Sequence, residues 1–312
     1  MTAGCPTLLL FALALSGAPD IELIPGKTVS GSQPDGNSLV ITAPEGLIVM
    51  DTGRHVEQTQ RVLDFAKASS KPVRAIINSH WHLDHVGGNV LLRQAYPNVE
   101  VYATSAIDSA LTGFLKDYRA QLEGALTKAE GEAAANYRAE IALIDAGEQL
   151  KPTRVVTQSS KVTIAGRPLE LHVEQSAVTA GDLWVFDPAT RVLIAGDLVT
   201  LPAPFFDTAC PARWQVSLRS LSQKQFSQLI PGHGAPMDRA AFNVYRKAFD
   251  NLVTCGNDSK QHKSACADGW QRDASTLLPE SDRAYARALV EYYVDNIFRA
   301  DGAKRDAACR LQ

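Results

Sequence analysis

The 312-residue chain has no Cys-x-x-Cys pair, no Gly-x-Ser-x-Gly turn, no excess of basic charge and no apolar stretch of membrane-spanning length. The first absence argues against a cysteine-built zinc site or a thioredoxin-type redox motif. The second argues against a Ser/His/Asp hydrolase built on a nucleophile elbow. A formal charge of −3 and a pI near 6.2 leave no electrostatic footprint for nucleic acid. Low-complexity linkers and short fixed-period repeats are also missing. With 45% hydrophobic and 21% charged residues, the chain has ordinary globular composition, which excludes collagen, coiled coil and disordered tail. Its length allows one large domain or two average ones, each with a sizeable core.

The most apolar run, residues 8–15, covers eight residues, far short of the roughly 20 that a bilayer-spanning helix needs. Followed by Ser16-Gly17-Ala18, it reads as a signal peptide over residues 1–18 and predicts a periplasmic or secreted protein. No Lys or Arg precedes Lys27 and Pro19 follows the small residues, so a buried first strand or helix is the alternative. Cleavage would remove Cys5 and leave Cys210, Cys255, Cys266 and Cys309. Four cysteines allow three pairings, and sequence alone does not choose among them. The ten-residue spacer between Cys255 and Cys266 suits a local loop, which would leave Cys210 for Cys309. An even count and export both point to an oxidising compartment.

Along the chain, two short apolar runs, 38–41 and 47–50, flank a Pro44-Glu45-Gly46 turn and predict a hairpin. Helical spacing follows over 55–68, then a strand over 73–78, a loop over 79–85, a helix over 87–95 and a strand over 99–103. Residues 105–140 have the composition of one or two helices. Strands are expected at 154–158, 161–164, 169–173, 183–186 and 192–195. A further apolar pair, Leu229-Ile230, precedes Pro231-Gly232-His233-Gly234. Helices are expected over 238–253 and 281–299, separated by a polar, cysteine-bearing stretch. Strands mixed with helices in both halves predict an α/β sandwich with outer helices.

Histidine is not abundant, at seven residues, but His80, His82 and His85 fall within six positions. The segment Ser79-His80-Trp81-His82-Leu83-Asp84-His85-Val86-Gly87-Gly88 sits between a predicted strand and a predicted helix. A loop there lets His80 and His82 converge on one point while Asp84 and His85 turn to another. Imidazole nitrogen and carboxylate oxygen suit zinc, and Gly87-Gly88 permits a close turn into the helix.

This pattern resembles the metallo-β-lactamase-fold hydrolase superfamily over roughly Ser38 to Val253. Asp51-Thr52-Gly53, Gly181-Asp182-Leu183, Ala195-Gly196-Asp197 and Pro231-Gly232-His233-Gly234 resemble further family blocks in the same order. The resemblance implies a four-layer αββα sandwich over residues 36–253, with a helical, cysteine-bearing extension over 254–312. It implies one or two Zn²⁺ per chain. His80 and His82 would bind the first, Asp84, His85 and His233 the second, and Asp197 would bridge both. Asp51 would orient a ligand. Each also has a plain structural alternative: Asp197 capping a helix, His233 bonding in a turn, Asp51 ending its strand.

One position departs from the family. Where a histidine stands in a block of the form His-Thr-x-Gly-Asp, this chain has Val178-Thr179-Ala180-Gly181-Asp182; a two-residue shift would place Ser176 there. Neither supplies an imidazole, and His172 and Glu174 would reach the site only from a displaced strand. Asp197 where some relatives carry cysteine implies an oxygen- and nitrogen-only site, and His82 disfavours the flavin-linked di-iron branch. The stretches 196–211 and 230–238 resemble exported quinoprotein-relay zinc metallohydrolases, or SoxH-like proteins. The loop 207–211 reads as a disulfide-pinned surface loop.

The expected function is metal-assisted hydrolysis of an ester, lactone, thioester or amide-type bond in a small-molecule substrate, with Asp84 as the residue that orients the water or takes its proton. Nucleic acid and a membrane span are not expected. The alternative is a periplasmic accessory or binding protein of a quinoprotein or sulfur-oxidation system, with a degraded first metal site and a periplasmic protein partner. A mononuclear iron oxidase of persulfide type ranks last. Trp81, Trp184, Phe205 and Phe206 are pocket candidates, although aromatic residues near strands are more often core.

Overall fold

The computed structural model describes residues 20–27, 33–300, 302 and 307–309; the expected signal segment lies outside them. Strand β1 (Ile21–Ile24) pairs antiparallel with β2 (Ser38–Ala43), which forms the expected hairpin with β3 (Gly46–Met50). Helix α1 (Val56–Ser69) leads into β4 (Val73–Ile77), and the short α2 (Leu83–Val86) and α3 (Asn89–Ala95) lead into β5 (Glu100–Ala103). Four helices follow: α4 (Ala106–Thr112), α5 (Phe114–Leu126), α6 (Gly131–Asp145) and α7 (Gly147–Leu150). The short β6 (Arg154–Val155) completes a six-stranded sheet in the order β1-β2-β3-β4-β5-β6.

The second sheet has the order β11-β10-β9-β8-β7. It comprises β7 (Ser160–Ile164), β8 (Arg167–Gln175), β9 (Gly181–Asp187), β10 (Val192–Thr200) and β11 (Gln228–His233), with α8 (Pro211–Gln223) between the last two. Helices α9 (Arg239–Asn257), α10 (Lys263–Asp273) and α11 (Arg283–Tyr293) follow.

Alternation of side chains along a strand decides the layers. In β2, Leu39 and Ile41 face the second sheet, where Leu169, Leu171, Leu183 and Val185 meet them; Val40 faces the other way, onto Val62 and Ala66 of α1. The outer face of the second sheet, including Trp184 and Leu193, packs on α8 to α11. The result is helix, sheet, sheet, helix, as the sequence predicts. A fourth apolar cluster joins α4–α7 to Trp81, Leu83 and Val86, so the inserted helices pack directly on the histidine-bearing segment.

Four elements lie where the pattern predicts none. α7 falls between the helices expected over 105–140 and the strand expected at 154–158. β1 precedes residue 36. α8 buries Trp214, Ser217, Leu218 and Leu221 at helical spacing, and α10 buries Cys266, Ala267 and Trp270. The segment 79–85, expected as loop, closes into the single turn of α2 at Leu83. Disulfides join Cys210 to Cys309 and Cys255 to Cys266, the pairing that a local Cys255–Cys266 loop would leave.

Candidate metal centre

The chemistry-bearing residues come from three strand ends on one edge of the sandwich. His80, His82, Asp84 and His85 follow β4, Asp197 lies within β10, and His233 ends β11. In β10 the register slips around Gly196, whose φ is +53°. A Cβ there would sit 2.4 Å from that of Ser79, so glycine is what lets β10 press against the segment after β4.

Two groups of ligand atoms result: His80, His82 and Asp197, and Asp84, His85 and His233. Asp197 faces both. Its Oδ2 is 3.8 Å from His80 Nε2, and its Oδ1 is 3.2 Å from His85 Nε2 and 3.6 Å from His233 Nε2. Asp84 Oδ2 lies 2.9 Å from His233 Nε2 and 3.5 Å from His85 Nε2. Ligand atoms at zinc distances around a tetrahedral ion stand about 3.3–3.6 Å apart; the His233–Asp197 and His85–Asp84 separations fall in that range and the other three lie within about 0.4 Å of it. His80 Nε2, His85 Nε2 and Asp197 Oδ1 are buried without a hydrogen-bond partner. Three orphaned atoms aimed at one space are costly in a protein interior unless an ion or water satisfies them.

Hydrogen bonds on the far side of each ring decide which nitrogen is bare. Ser79 Oγ donates to Asp51 Oδ2 at 2.7 Å, so it accepts from His80 Nδ1 at 2.9 Å. That leaves His80 Nε2 as the acceptor. His85 Nδ1 lies 2.8 Å from Asp51 Oδ2, which turns its Nε2 toward Asp197 and the second group of ligands. Thr208 Oγ1 donates to the Val178 carbonyl and lies 2.9 Å from His82 Nε2, so His82 presents Nδ1. Asp51 also accepts from the Ser79 backbone N–H at 2.7 Å. It thus orients two rings, and its φ of +56° puts a non-glycine residue in the left-handed region, strain of a kind that functional sites retain.

Burial pushes His80 and His82 down, His82 to about 4, so both are neutral at pH 7. Burial also opposes charge on His85 and His233. There Asp197 and Asp84 outweigh it, helped at His85 by Asp51, and both pKa values are raised. Burial works against the Asp84 and Asp197 carboxylates too, but His85 and His233 hold both well below the usual range, with Arg54 adding to the effect on Asp84.

Among the described residues, the sequence-predicted ligands His80, His82, Asp84, His85, Asp197 and His233 all converge. His172 does not: it stacks on Trp184 with ring centroids 3.7 Å apart. Glu174 accepts from Trp184 Nε1 and Ser217 Oγ, so neither replaces the missing histidine. Val178 is 1% exposed and packs in the apolar cluster of the second sheet. Trp81 and Phe205 line the cavity above the ligands, whereas Trp184 and Phe206 are core.

Several contributors carry no motif. Ser79 and Thr208 fix ring orientations. Arg54 holds both oxygens of Glu140 on α6 at 2.7 Å and stands 3.4 Å from Asp84 Oδ1. Burial works against its charge and the two carboxylates outweigh that. Tyr118 of α5 donates to the same Glu140 at 3.2 Å. The only sequence signal for Arg54 is its place directly after Asp51-Thr52-Gly53.

Two packed sheets between helix layers, with paired His/Asp clusters at one edge, define a scaffold for a dinuclear metal centre; the donor set is imidazole and carboxylate, without thiolate. The model of the metallo-β-lactamase superfamily matches residues 32–258, and the chain belongs to that superfamily. It is 29% identical over 290 residues to a linear primary-alkylsulfatase from Pseudomonas sp. (strain ATCC 19151), covering 81% of this chain and 52% of that protein. The chain therefore spans about half the length of that curated relative. A metallo-β-lactamase from Pontibacter korlensis has a similar fold, with a TM-score of 0.55 at 21% identity over 76% of this chain and 98% of that one. The stereoselective inverting sec-alkylsulfatase Pisa1 from Pseudomonas sp. gives a TM-score of 0.56 at 20% identity over 86% of this chain and 48% of that one.

Proposed function

We propose that the protein is an exported, zinc-dependent hydrolase acting on an ester, lactone, thioester or amide-type bond. One observation carries this reading: six buried or nearly buried ligands converge, four of them (His82, Asp84, Asp197 and His233) lining the floor of a cavity, and three of the six have atoms left unpartnered by the protein. Zinc held there would lower the pKa of water from 15.7 to about 7 and polarise the bond to be cleaved. Asp84, whose carboxylate stays ionised, would orient the attacking water or take its proton. Asp197 bridges the two groups of ligands. With Val178 in the family's histidine position, the first group offers two imidazoles and a shared carboxylate. The second offers two imidazoles, a carboxylate of its own and the same shared one. The second site therefore binds metal more tightly.

Export is supported by the apolar N-terminal run and by the two disulfides. The stretches around Asp197 and His233 support placement among the exported SoxH-like proteins, and residues 36–253 and 254–312 are read as catalytic domain and extension. A second reading, hydrolysis of alkyl sulfate esters, is favoured by the likeness to the linear primary-alkylsulfatase.

Purified mature protein should contain one or two zinc ions and hydrolyse an aryl ester. A chelator should abolish turnover and added zinc restore it. A folded protein that takes up no metal would overturn the proposal. An alkyl sulfate in the same assay decides between the two readings.

A further inference from the structure

Above the ligands lies a cavity of about 610 Å³, within the usual range for small-molecule sites. Its walls diverge from His82 in two aromatic lines. On one side the His82 ring meets Trp81 at 4.7 Å between centroids, and Trp81 meets Phe114 at 5.5 Å. On the other, His82 meets Phe205 at 5.3 Å, Phe205 meets Tyr293 at 5.9 Å and Tyr293 meets Tyr292 at 5.3 Å. The first line runs onto inserted helix α5, and the second onto C-terminal helix α11. The sandwich thus supplies the polar floor and, through Trp81 and Phe205, the base of the apolar walls, which α5 and α11 extend. Phe114 is 40% exposed and Tyr292 49% exposed. Aromatic surface left facing solvent around a concave site marks a place for an apolar ligand.

Charge narrows the ligand further. Among the described residues, Arg54 is the only lysine or arginine that lines the cavity, and Glu140 and Asp84 already engage it. The other charged lining residues beyond the metal ligands are Asp117 and Asp207; Asp207 accepts from the Tyr292 hydroxyl at 3.5 Å. An anionic group carried away from the scissile bond would meet carboxylates and aromatic faces, with no uncommitted lysine or arginine among the described lining residues. A buried anion without a partner is strongly disfavoured.

We propose that this cavity selects substrates with an apolar, aromatic or alkyl body that bears no charge away from the scissile group, and disfavours those with a remote carboxylate, as in carboxylated lactams. The substrate class rests on the hydrolase reading above, so binding and turnover are measured separately.

Binding is read by calorimetry on the metal-free protein with the uncharged probe 2-methoxynaphthalene. Phe114→Ala combined with Tyr292→Ala, both at exposed positions, should weaken binding about fivefold or more, since each aromatic contact contributes measurably beyond its area. Unchanged affinity overturns the aromatic walls. Turnover is then compared on zinc-loaded protein for 2-naphthyl acetate and its 6-carboxylated counterpart. The carboxylated ester should have kcat/KM at least about tenfold lower, and Phe114→Lys should narrow that gap about threefold, the scale of one exposed ion pair. Equal turnover of the two esters overturns the charge selection. If neither ester is cleaved, the hydrolase reading and the substrate class that rests on it both fail, and the binding result alone decides whether the walls hold an apolar ligand.

Discussion

Gly36 belongs to no motif, yet the geometry makes it a test of how tightly the second ligand group is held. A Cβ at this position would lie 2.5 Å from His85 Cε1, 2.8 Å from Nε2 and 2.9 Å from Nδ1. Ordinary contact begins near 3.4 Å, so the ring would have to move by about 0.9 Å, several times the ~0.2 Å tolerance of a metal–ligand bond. The ring has little room to retreat, because Asp51 Oδ2 holds its Nδ1 at 2.8 Å and Thr52 and Asn78 bond the His85 carbonyl. The backbone at 36–37 is pinned too, by bonds from Gly36 N to the Asp84 carbonyl at 3.1 Å and from Asn37 N to the Gly232 carbonyl at 2.7 Å. Gly36→Ala should therefore lower metal affinity at the second site roughly 10–100-fold, as loss of a ligand-orienting contact does. The metal-free fold should lose about 1–3 kcal/mol through overpacking. Chelator competition measures the first effect and thermal unfolding the second. In a His85→Ala background the ring is gone, so Gly36→Ala should cost far less stability, a coupling that a double-mutant cycle reads directly. Wild-type metal affinity in the single variant, or additive costs in the cycle, would refute the reasoning.

Other substitutions probe the neighbouring contacts. Thr208→Val removes the acceptor of His82 Nε2 and should weaken metal binding at the first site about 10–100-fold while sparing the second, read as a drop in one class of bound metal; Thr208→Ser should restore it. Val178→His should raise bound metal toward two per chain, and unchanged stoichiometry would show that position 178 does not reach the first site. Arg54→Met leaves Glu140 and Asp84 without their shared cation in a buried setting and should cost about 3–5 kcal/mol, most of it recovered when Glu140→Leu is added. Metal uptake by the second site should release protons, because the Asp197 and Asp84 carboxylates favour the protonated forms of His85 and His233 and metal binding needs both imidazoles neutral, whereas the first site should release none at pH 7. Calorimetry in buffers of different ionisation enthalpy separates the two. Because those two folded pKa values are raised, their contribution to metal-free stability is complete below about 6.5 and is lost as pH rises through the raised values, so metal-free unfolding temperature should fall across that window.

The candidate ligands were legible in the sequence because each sits where a predicted strand stops. A strand end fixes direction, so His80 after β4, Asp197 in β10 and His233 at the end of β11 have to meet once the two sheets pack face to face. The αββα order was legible for a similar reason: alternation in β2 and β3 and helical spacing in α1 each name the face that must be covered. Of what organises the ligands, only Asp51 was legible, through the Asp51-Thr52-Gly53 block. Ser79, Thr208 and Arg54 are common residue types whose roles depend on partners up to 126 positions away, as between His82 and Thr208, and no local pattern encodes such a pairing.

The cavity walls show the same limit more sharply. α5 and α11 carry Phe114, Tyr292 and Tyr293 at spacings indistinguishable from ordinary amphipathic helices, and they frame a cavity because α5 packs on the histidine-bearing segment while α11 reaches it through Phe205. The vacancy at Val178 belongs to this picture. Without an imidazole, the peptide that would carry the third histidine is instead bonded through its carbonyl to Thr208, whose hydroxyl accepts from His82 and comes from the loop next to Phe205 and Cys210. The loop that forms part of the apolar wall therefore also sets the orientation of a first-site ligand. Changes in that loop should alter metal binding and substrate preference together, whereas changes at the exposed Phe114 of α5 should alter preference alone.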